Sequence, residues 1–335
     1  MQASKENPIY TAFLVDGSTE YEITPAMQSL SFSDQDKQIA MSAALSITNT
    51  MANGKWLSSL IQPRQRISIF ADDGEKKDEV FRGFVWTKYY KSALSSKDIE
   101  LKCYDNLVYF QESEDSLYFT AGKTTKDIIT TIGKNWGVSI NYTYQSITHG
   151  KMVLRGALSD IITADILDKV KENTGAKYVM ISQKDVINIK TAGSNTTTYK
   201  ITAKNNAIFT RSEQTMDGMI TKVIILGKAG KGERVPVQAT VAGNTSQYGT
   251  LQKLYDRDEN TSLADAKKEA NTIIQEKGKP STKYEVQAGD IPWIRKGDLV
   301  YINAGAIADR ELLVVGIERS ISNSSKTMTL TLTNP

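Results

Sequence analysis

The chain contains one histidine, His149, and one cysteine, Cys103, among its 335 residues. A nucleophile activated by histidine would have to use His149, which lies in the turn-like segment SITHG, where we expect a solvated loop histidine. A structural zinc site needs four ligands, and these two residues cannot supply them. Cys103 lies in the strand-like segment DIELKCYDNLVYF, so we expect a buried, apolar thiol, with a reactive thiol as the alternative.

Two other segments could carry chemistry. QESEDSL contains Glu112, Glu114 and Asp115, and paired carboxylates can act as the acid and base of a glycan hydrolase, although such a cluster is more often a solvated loop. GKAGKGER, residues 227–234, lacks the spacing of a phosphate-binding loop and is typical of a hairpin loop. We therefore predict no catalytic residue, no cofactor and no metal, and a protein that is not an enzyme.

Length and composition indicate a folded chain of two or three domains. The 41 basic and 38 acidic residues leave a net charge of +3, which predicts neither a nucleic-acid patch nor an anionic membrane surface as partner. The N-terminal segment MQASKENPIYTAF has no hydrophobic signal core, so we expect synthesis in the cytoplasm without export.

The patterning predicts a β-rich α+β protein with several domains. Residues 1–109 contain short segments of period-two hydrophobicity separated by turn signals, which favour a small antiparallel barrel or sandwich. Strand patterns return in residues 206–228 and 284–335, which we assign to a second β domain. Between its two parts, residues 229–283 form an insertion with a hairpin and one helix, SLADAKKEANTIIQEKG, capped by Ser262 and ended by Gly278.

Residues 110–205 have the pattern of an α/β module. Two amphipathic helices begin at the predicted caps Thr124 and Ser159 and end at Gly137 and Gly175, and a hairpin follows. We expect this module to fold on its own around a core that includes Val153, Ile162, Ile166, Val170, Tyr178 and Ile187.

A similar phrase occurs in both β regions. SLIQPRQRISIF spans Ser59–Phe70 and GDIPWIRKGDLVYI spans Gly289–Ile302; each leads through a basic turn into an alternating strand. An apolar strand through a glycine follows, Gly83 or Gly316, and then a Ser-rich turn and a last alternating strand. We predict two barrels that superpose with Gly83 over Gly316, although short strands and glycine turns also resemble each other by chance.

A resemblance to a known family rests on the phrases FRGFVWTKYY, ELKCYDNLVYF, TTKDIITTIGKNWG, ILDKVKENTGAKYVMI, IPWIRKGDLVYI, LLVVGIERSIS and TMTLTL, taken in this order. In these phrases the chain resembles the baseplate hub proteins of contractile phage tails, defective prophages and tail-like bacteriocins. The resemblance runs nearly end to end. It implies two tail-tube-like antiparallel β-barrels in one chain, with the α/β module and the smaller insertion between and within them. It also implies a homotrimer that joins a hexameric tail tube, or a tube-initiator protein, to a trimeric central spike. Tape-measure and other baseplate proteins are further expected partners, and the final location is the baseplate.

Two other functions stay open from the sequence. One is a peptidoglycan hydrolase that uses Glu112 or Asp115, and the other is a carbohydrate-binding tail component. Exposed, clustered tryptophans would favour the second, but the four tryptophans are scattered along the chain and are expected mostly in the core. They are Trp56, Trp86, Trp136 and Trp293.

Overall fold

Strands make up most of the secondary structure in this computed structural model, which describes residues 7–36, 38–93, 97–228, 234–257 and 261–335. The prediction of a β-rich fold with few helices is confirmed. The chain forms two units, a larger one of Met1–Arg211 with Tyr284–Pro335 and a smaller one of Ser212–Lys283. The predicted Ser-rich turn near residues 92–96 and the glycine-rich loop at 227–234 lie largely outside the described residues.

The first β region surrounds one core. Its elements are β1 (Ile9–Asp16), β2 (Thr19–Glu22), a 3₁₀ turn (Thr24–Ala26), β3 (Met27–Asp34), β4 (Ser42–Thr48), β5 (Met51–Ala52), β6 (Lys55–Trp56), α1 (Leu57–Leu60), β7 (Arg66–Asp72), β8 (Lys77–Ser92) and β9 (Lys97–Tyr104). Alternate residues of β1 are buried, as period two requires. The ring centroids of Tyr10 in β1 and Phe32 in β3 lie 6.0 Å apart, so these two strands meet across the core.

The α/β module follows, with a separate core. Its elements are α2 (Val108–Gln111), β10 (Glu114–Phe119), α3 (Thr125–Asn135), β11 (Ser139–Tyr142), β12 (Met152–Ala157), α4 (Leu158–Asp160), a π-helical segment (Ile161–Leu167), α5 (Asp168–Thr174), β13 (Tyr178–Gln183) and β14 (Val186–Thr191). The strands β10 and β12 pair antiparallel, while β14 pairs with β11 and β13. Ile39 and Ala40, from outside the predicted module, also pack in this core.

Local signals placed most of the helix ends correctly. The Thr124 hydroxyl accepts a hydrogen bond from the backbone N–H of Asp127, whose carboxylate accepts one from Thr124 N–H in return. Gly175 ends α5 in the left-handed conformation. Ser159 is not a cap, because the chain enters the helix directly from β12 and helical structure begins at Leu158.

The predicted module core is correct except at one position. Ile162, Ile166, Val170 and Ile187 are buried and Tyr178 is half-buried. Val153 is 71% exposed, because it lies on the outer face of the two-stranded β10–β12 ribbon, whose neighbouring residues Met152 and Leu154 face the core.

The smaller unit contains β17 (Lys222–Leu226), β18 (Val237–Ala242), α6 (Thr245–Tyr248), β19 (Gln252–Asp256) and α7 (Leu263–Lys277). Ser262 caps α7, as predicted. The assignment of residues 206–228 to the second β domain is wrong at its end, because β17 pairs with β18 and β19 in a separate three-stranded sheet. The buried side chains Val223 and Ile225 pack against Ala266 and Ala270 of α7, which explains this location.

The second β region has the third core of the larger unit. Its strands are β15 (Tyr199–Thr202), β16 (Ala207–Thr215), β20 (Ser281–Gly289), β21 (Leu299–Ala304), β22 (Ile307–Ser322) and β23 (Lys326–Thr333). The last residues of β16, from Ser212, and the first residues of β20, up to Lys283, belong to the smaller unit. The two predicted barrels are not separate, because β22 pairs with β3 and thereby joins both β regions in one 13-stranded hydrogen-bonded sheet. The two regions nevertheless keep separate cores.

Candidate assembly interface

The joined sheet contains the same strand order twice. The first half, β1, β3, β4, β7, β8 and β9, has the order β3-β4-β9-β8-β7-β1. The second half, β15, β16, β20, β21, β22 and β23, has the order β16-β20-β23-β22-β21-β15. If the six strands of each half are numbered one to six along the chain, both halves have the spatial order 2-3-6-5-4-1. One direction differs, since β1 is antiparallel to β7 whereas β15 is parallel to β21.

The last three strands of each half form an antiparallel meander with corresponding register. Ile67 lies opposite Gly83 in the first half, and Val300 lies opposite Leu312 in the second. These pairs place Gly83 at the position of Leu312, four residues before Gly316, so the predicted superposition of the two glycines is wrong.

A β-bulge, and not a glycine, is the feature that the two long central strands share. The register of β8 with β9 shifts between Val85 and Thr87, and that of β22 with β23 shifts between Val314 and Gly316. A bulge inserts one unpaired residue, bends the strand and increases its twist. Because the bulges occupy corresponding positions, both central strands have the same two parts, an inner part before the bulge and an outer part after it.

The repeated phrase forms one kind of turn in both halves. Arg64 and Gly297 have positive φ angles of 69° and 87°. The backbone N–H of each donates a hydrogen bond of 2.7 Å to a carbonyl of the central strand, Val85 or Val314. The left-handed backbone conformation is unfavourable for arginine and readily adopted by glycine. Arg64 nevertheless has the same turn geometry as Gly297.

A buried arginine fastens the turn of the second half. Arg319 in the outer part of β22 is 4% exposed, and its Nε donates to Asp290 Oδ1 at 2.9 Å. Its Nη2 donates to the carbonyl oxygens of Ile291 and Ile294 at 2.9 and 2.8 Å. The Tyr10 hydroxyl donates to the other oxygen of Asp290, so the network also reaches the first half.

A lysine has the corresponding role in the first half. Lys88, in the outer part of β8, donates from Nζ to the carbonyl oxygens of Ser58 and Ile61 at 3.0 and 2.8 Å. The acceptors are three residues apart and precede the positive-φ residue, as the carbonyls bound by Arg319 do in the second half. The two halves thus share strand order, register, bulge, turn and a cation that binds the turn.

The halves are joined by strand pairing, which we call the internal junction. Ile317–Ser322 of β22 lies antiparallel to Ser29–Asp34 of β3. The pairing covers the inward side chains Leu30 and Phe32, which are 1% and 3% exposed, and brings Ile321 into the first core. β22 therefore contributes to both cores.

Charged groups are buried beside the internal junction. Lys296 Nζ lies 2.5 Å from Asp34 Oδ1 and donates to the carbonyl oxygens of Gln35 and Gln38. Burial, followed by the nearby charge of Asp34, raises the pKa of Asp105 to about 8, although its carboxylate accepts backbone hydrogen bonds. Asp105 is therefore mostly protonated at neutral pH in the folded chain.

We expect the titration of Asp105 to lower the free energy of unfolding by about 2 kcal/mol between pH 6 and pH 8. Its pKa is raised from the ordinary value of 3.8 to about 8, so the folded chain binds the extra proton in this window, and stability is lost as pH rises. Urea unfolding at the two pH values should show a smaller fall for Asp105→Asn than for the parent. Asp127→Asn is the control, since the lowered pKa of Asp127 keeps it ionised throughout, and an unchanged fall in Asp105→Asn would contradict the assignment.

The candidate catalytic residues are not brought together. Cys103 is fully buried in β9, and burial raises the pKa of its thiol well above the usual range. His149 is not solvated as predicted: it is 6% exposed, and its Nε2 lies 2.9 Å from the Thr125 hydroxyl at the start of α3. Burial, with a contribution from Lys169, lowers the pKa of His149.

The acidic segment lies at the edge of the module. Glu112 follows α2, and Asp115 in β10 accepts a hydrogen bond from Trp136 Nε1 at 3.4 Å. One cavity of about 510 Å³ lies between the module and β22, and its lining includes Asp168, Lys171 and Tyr178 but not these carboxylates. Among the described residues, no cluster of three or more His, Cys, Asp and Glu side chains could hold a metal ion.

Two tryptophans are more exposed than the sequence predicted. Trp56 is 46% and Trp86 is 41% exposed, because Trp56 ends a short surface ribbon and Trp86 is the bulged residue of β8. They have different neighbours: Trp86 packs edge-on against Tyr104 and Tyr109, whereas Lys97 Nζ lies 5.9 Å from the Trp56 ring centroid. No helix in the described ranges has the length and apolar character needed to cross a bilayer.

The comparisons with known proteins agree with this fold. Residues 37–333 match the model of the YQBQ-like family. The 43 kDa tail protein of prophage MuSo2 from Shewanella oneidensis has the same fold, with a TM-score of 0.71 and 16% identity over 98% of this chain and 99% of its own. The tail protein from Neisseria meningitidis MC58 has a TM-score of 0.70 and 13% identity over 97% of this chain and 96% of its own.

A secretion-system protein is also similar. The E. coli c3393 protein, a component of the type VI secretion system with structural similarity to the T4 bacteriophage tail proteins gp27 and gp5, has a TM-score of 0.59 and 8% identity. The alignment covers 97% of this chain and 76% of that one. No curated protein matches the chain.

Proposed function

The chain belongs to the YQBQ-like family and has the fold of prophage tail proteins, and from this premise we propose that it is the structural hub of a contractile-tail baseplate. In this role three chains form a ring that joins the hexameric tail tube, or its initiator, to a trimeric central spike. The role is non-enzymatic. Tape-measure and other baseplate proteins are the further partners.

The observation that carries this proposal is the presence of two matched halves in one chain. A six-fold tube offers six equivalent docking sites. Three chains can occupy them equivalently only if each chain presents two similar surfaces. The matched register, bulges and turns of the halves support this proposal.

The similar proteins support a role in a tail. Two are tail proteins, one of them from a prophage, and the third is a component of the type VI secretion system with structural similarity to bacteriophage tail proteins. The alternative functions have no comparable support, because Glu112 and Asp115 do not line the cavity between the module and β22. The two exposed tryptophans also have separate neighbours.

We expect the assembled form to contain three chains of 37.1 kDa each, about 111 kDa in all. Light scattering on the purified chain, and cross-linking of the protein within assembled tails, measure this directly. A monomer in dilute solution is compatible with the proposal, since ring closure can require the tube or spike as template. A closed dimer or a six-chain ring in assembled tails would contradict it, as would peptidoglycan cleavage that depends on Glu112 or Asp115.

A further inference from the structure

Each half has two surfaces that can form a strand junction. The first is an edge strand: β3, which pairs with β4, in the first half, and β16, which pairs with β20, in the second half. The second is the outer part of the central strand, Lys88–Ser92 of β8 or Ile317–Ser322 of β22. The internal junction uses β3 of the first half and β22 of the second, which leaves β8 and β16.

The outer part of β8 lacks the cover that its counterpart has. β7 pairs with β8 only from Lys77 to Phe84, so Lys88–Ser92 pairs with β9 alone among the described strands. Tyr90 lies opposite Ile99 on the core-facing side of the sheet, yet it is 46% exposed. Arg319, at the corresponding position of β22, lies opposite Phe32 of β3 and is 4% exposed.

The outer side of β16 pairs with no other described strand. β16 is the last strand of the sheet, and the Gly289 N–H of β20 donates to the carbonyl of Asn206 just before it. Ala207 packs against the core of the second β region, and Phe209 lies on the same face because side chains alternate along a strand. Phe209 is 49% exposed, whereas the inward residues of β3 are 1% and 3% exposed.

We propose that β16 of one chain pairs antiparallel with Lys88–Ser92 of β8 in a second copy of this chain. This external junction reproduces the internal one, with β16 in the place of β3 and β8 in the place of β22. It covers Phe209 and Tyr90, which are exposed in the single chain. The partner is a second copy because the internal junction already demonstrates how these two kinds of surface fit.

The geometry is head to tail, so each chain both donates β16 and receives β16 from a neighbour. Such an interface closes into a ring when the rotation between copies permits it. The ring would alternate internal and external junctions and leave neither edge strand exposed to uncontrolled pairing. The number of chains, three, rests on the proposed function, whereas the identity of the paired strands does not.

Cysteine pairs test the external junction in tails assembled with the variant chain. Residues directly opposite in an antiparallel pair have Cα atoms about 4.5–5.5 Å apart, within disulfide range. In the internal junction Leu30 lies opposite Ile321 and Phe32 lies opposite Arg319. In β8, Ser92 corresponds to Ile321 and Tyr90 corresponds to Arg319. Phe209→Cys is therefore combined with Ser92→Cys in one variant and with Tyr90→Cys in another.

We expect one of the two variants to form a disulfide-linked three-chain species on oxidation. Chains that carry only Phe209→Cys or only the β8 cysteine should not cross-link alone, and mixing them should give linked dimers and nothing larger. Combining Phe209→Cys with Val153→Cys is the control, since Val153 is exposed but lies outside the junction. Native Cys103 is fully buried and should not react.

Two failures can be told apart. If neither variant cross-links while amine cross-linking still recovers three chains, the external junction is wrong and the proposed hub stands. If no three-chain assembly is recovered from tails that contain the parent protein, the proposed function fails, and the ring formed through this junction fails with it.

Discussion

Replacing Arg319 with alanine is expected to lower the free energy of unfolding by about 4 kcal/mol. The Asp290 carboxylate is fully buried, and its ion pair with Arg319 is 2.9 Å long. Without the guanidinium this carboxylate keeps the Tyr10 hydroxyl but loses its counter-charge, and the carbonyls of Ile291 and Ile294 lose their donor. Urea unfolding of the parent and the variant measures the loss.

The matched control removes an ion pair at the surface. Lys91 Nζ and Glu100 Oε1 are 2.5 Å apart, but the two side chains are 64% and 46% exposed. Exposed pairs contribute roughly 0–1 kcal/mol, so Lys91→Ala should have almost the parent stability. If Arg319→Ala and Lys91→Ala lose similar amounts, the buried network does not support the turn of the second half as described.

Ile166→Asp is expected to cost about 4 kcal/mol or more, because it places an unpaired carboxylate in the module core. Ile166 is fully buried in the π-helical segment and packs in the cluster that contains Ile162 and Val170. The melting temperature, measured by circular dichroism, should fall sharply.

Val153→Asp makes the same change at an exposed position of the same module. Val153 is 71% exposed, so its replacement should leave the melting temperature close to that of the parent. Equal melting temperatures for Ile166→Asp and the parent would show that the buried face of the helix is wrongly assigned.

Features that depend on neighbours in the sequence could be predicted. Thr124 and Ser262 cap helices, Gly175 ends one, and the two phrases form one turn, because these structures require particular residues within a few positions of each other. Cys103 was correctly expected in the core, because side chains alternate between the two faces of a strand and Cys103 shares its face with Ile99 and Leu101.

Features that depend on residues distant in the sequence could not be predicted. The burial of His149 follows from its contact with Thr125, and the exposure of Val153 follows from the outer face of a ribbon that lacks a covering layer. The two glycines were matched wrongly because equal spacing in the sequence does not give equal register: the hairpin from Ile67 to Gly83 is four residues longer than the one from Val300 to Leu312. Strand pairing between β3 and β22 has no local signal at all.

The internal junction makes the order of synthesis matter. Ile317 lies 283 residues after its partner Asp34, so the ribosome completes the first half long before β22 exists. At about 5–20 residues per second, β3 waits roughly 15–60 s for its partner strand. During that time Leu30 and Phe32 lack the cover that β22 provides, and nascent chains on one polysome present the same open strand to one another. Premature termination anywhere before β22 would leave this strand open permanently, so we expect such truncated chains to aggregate more readily than the complete sequence.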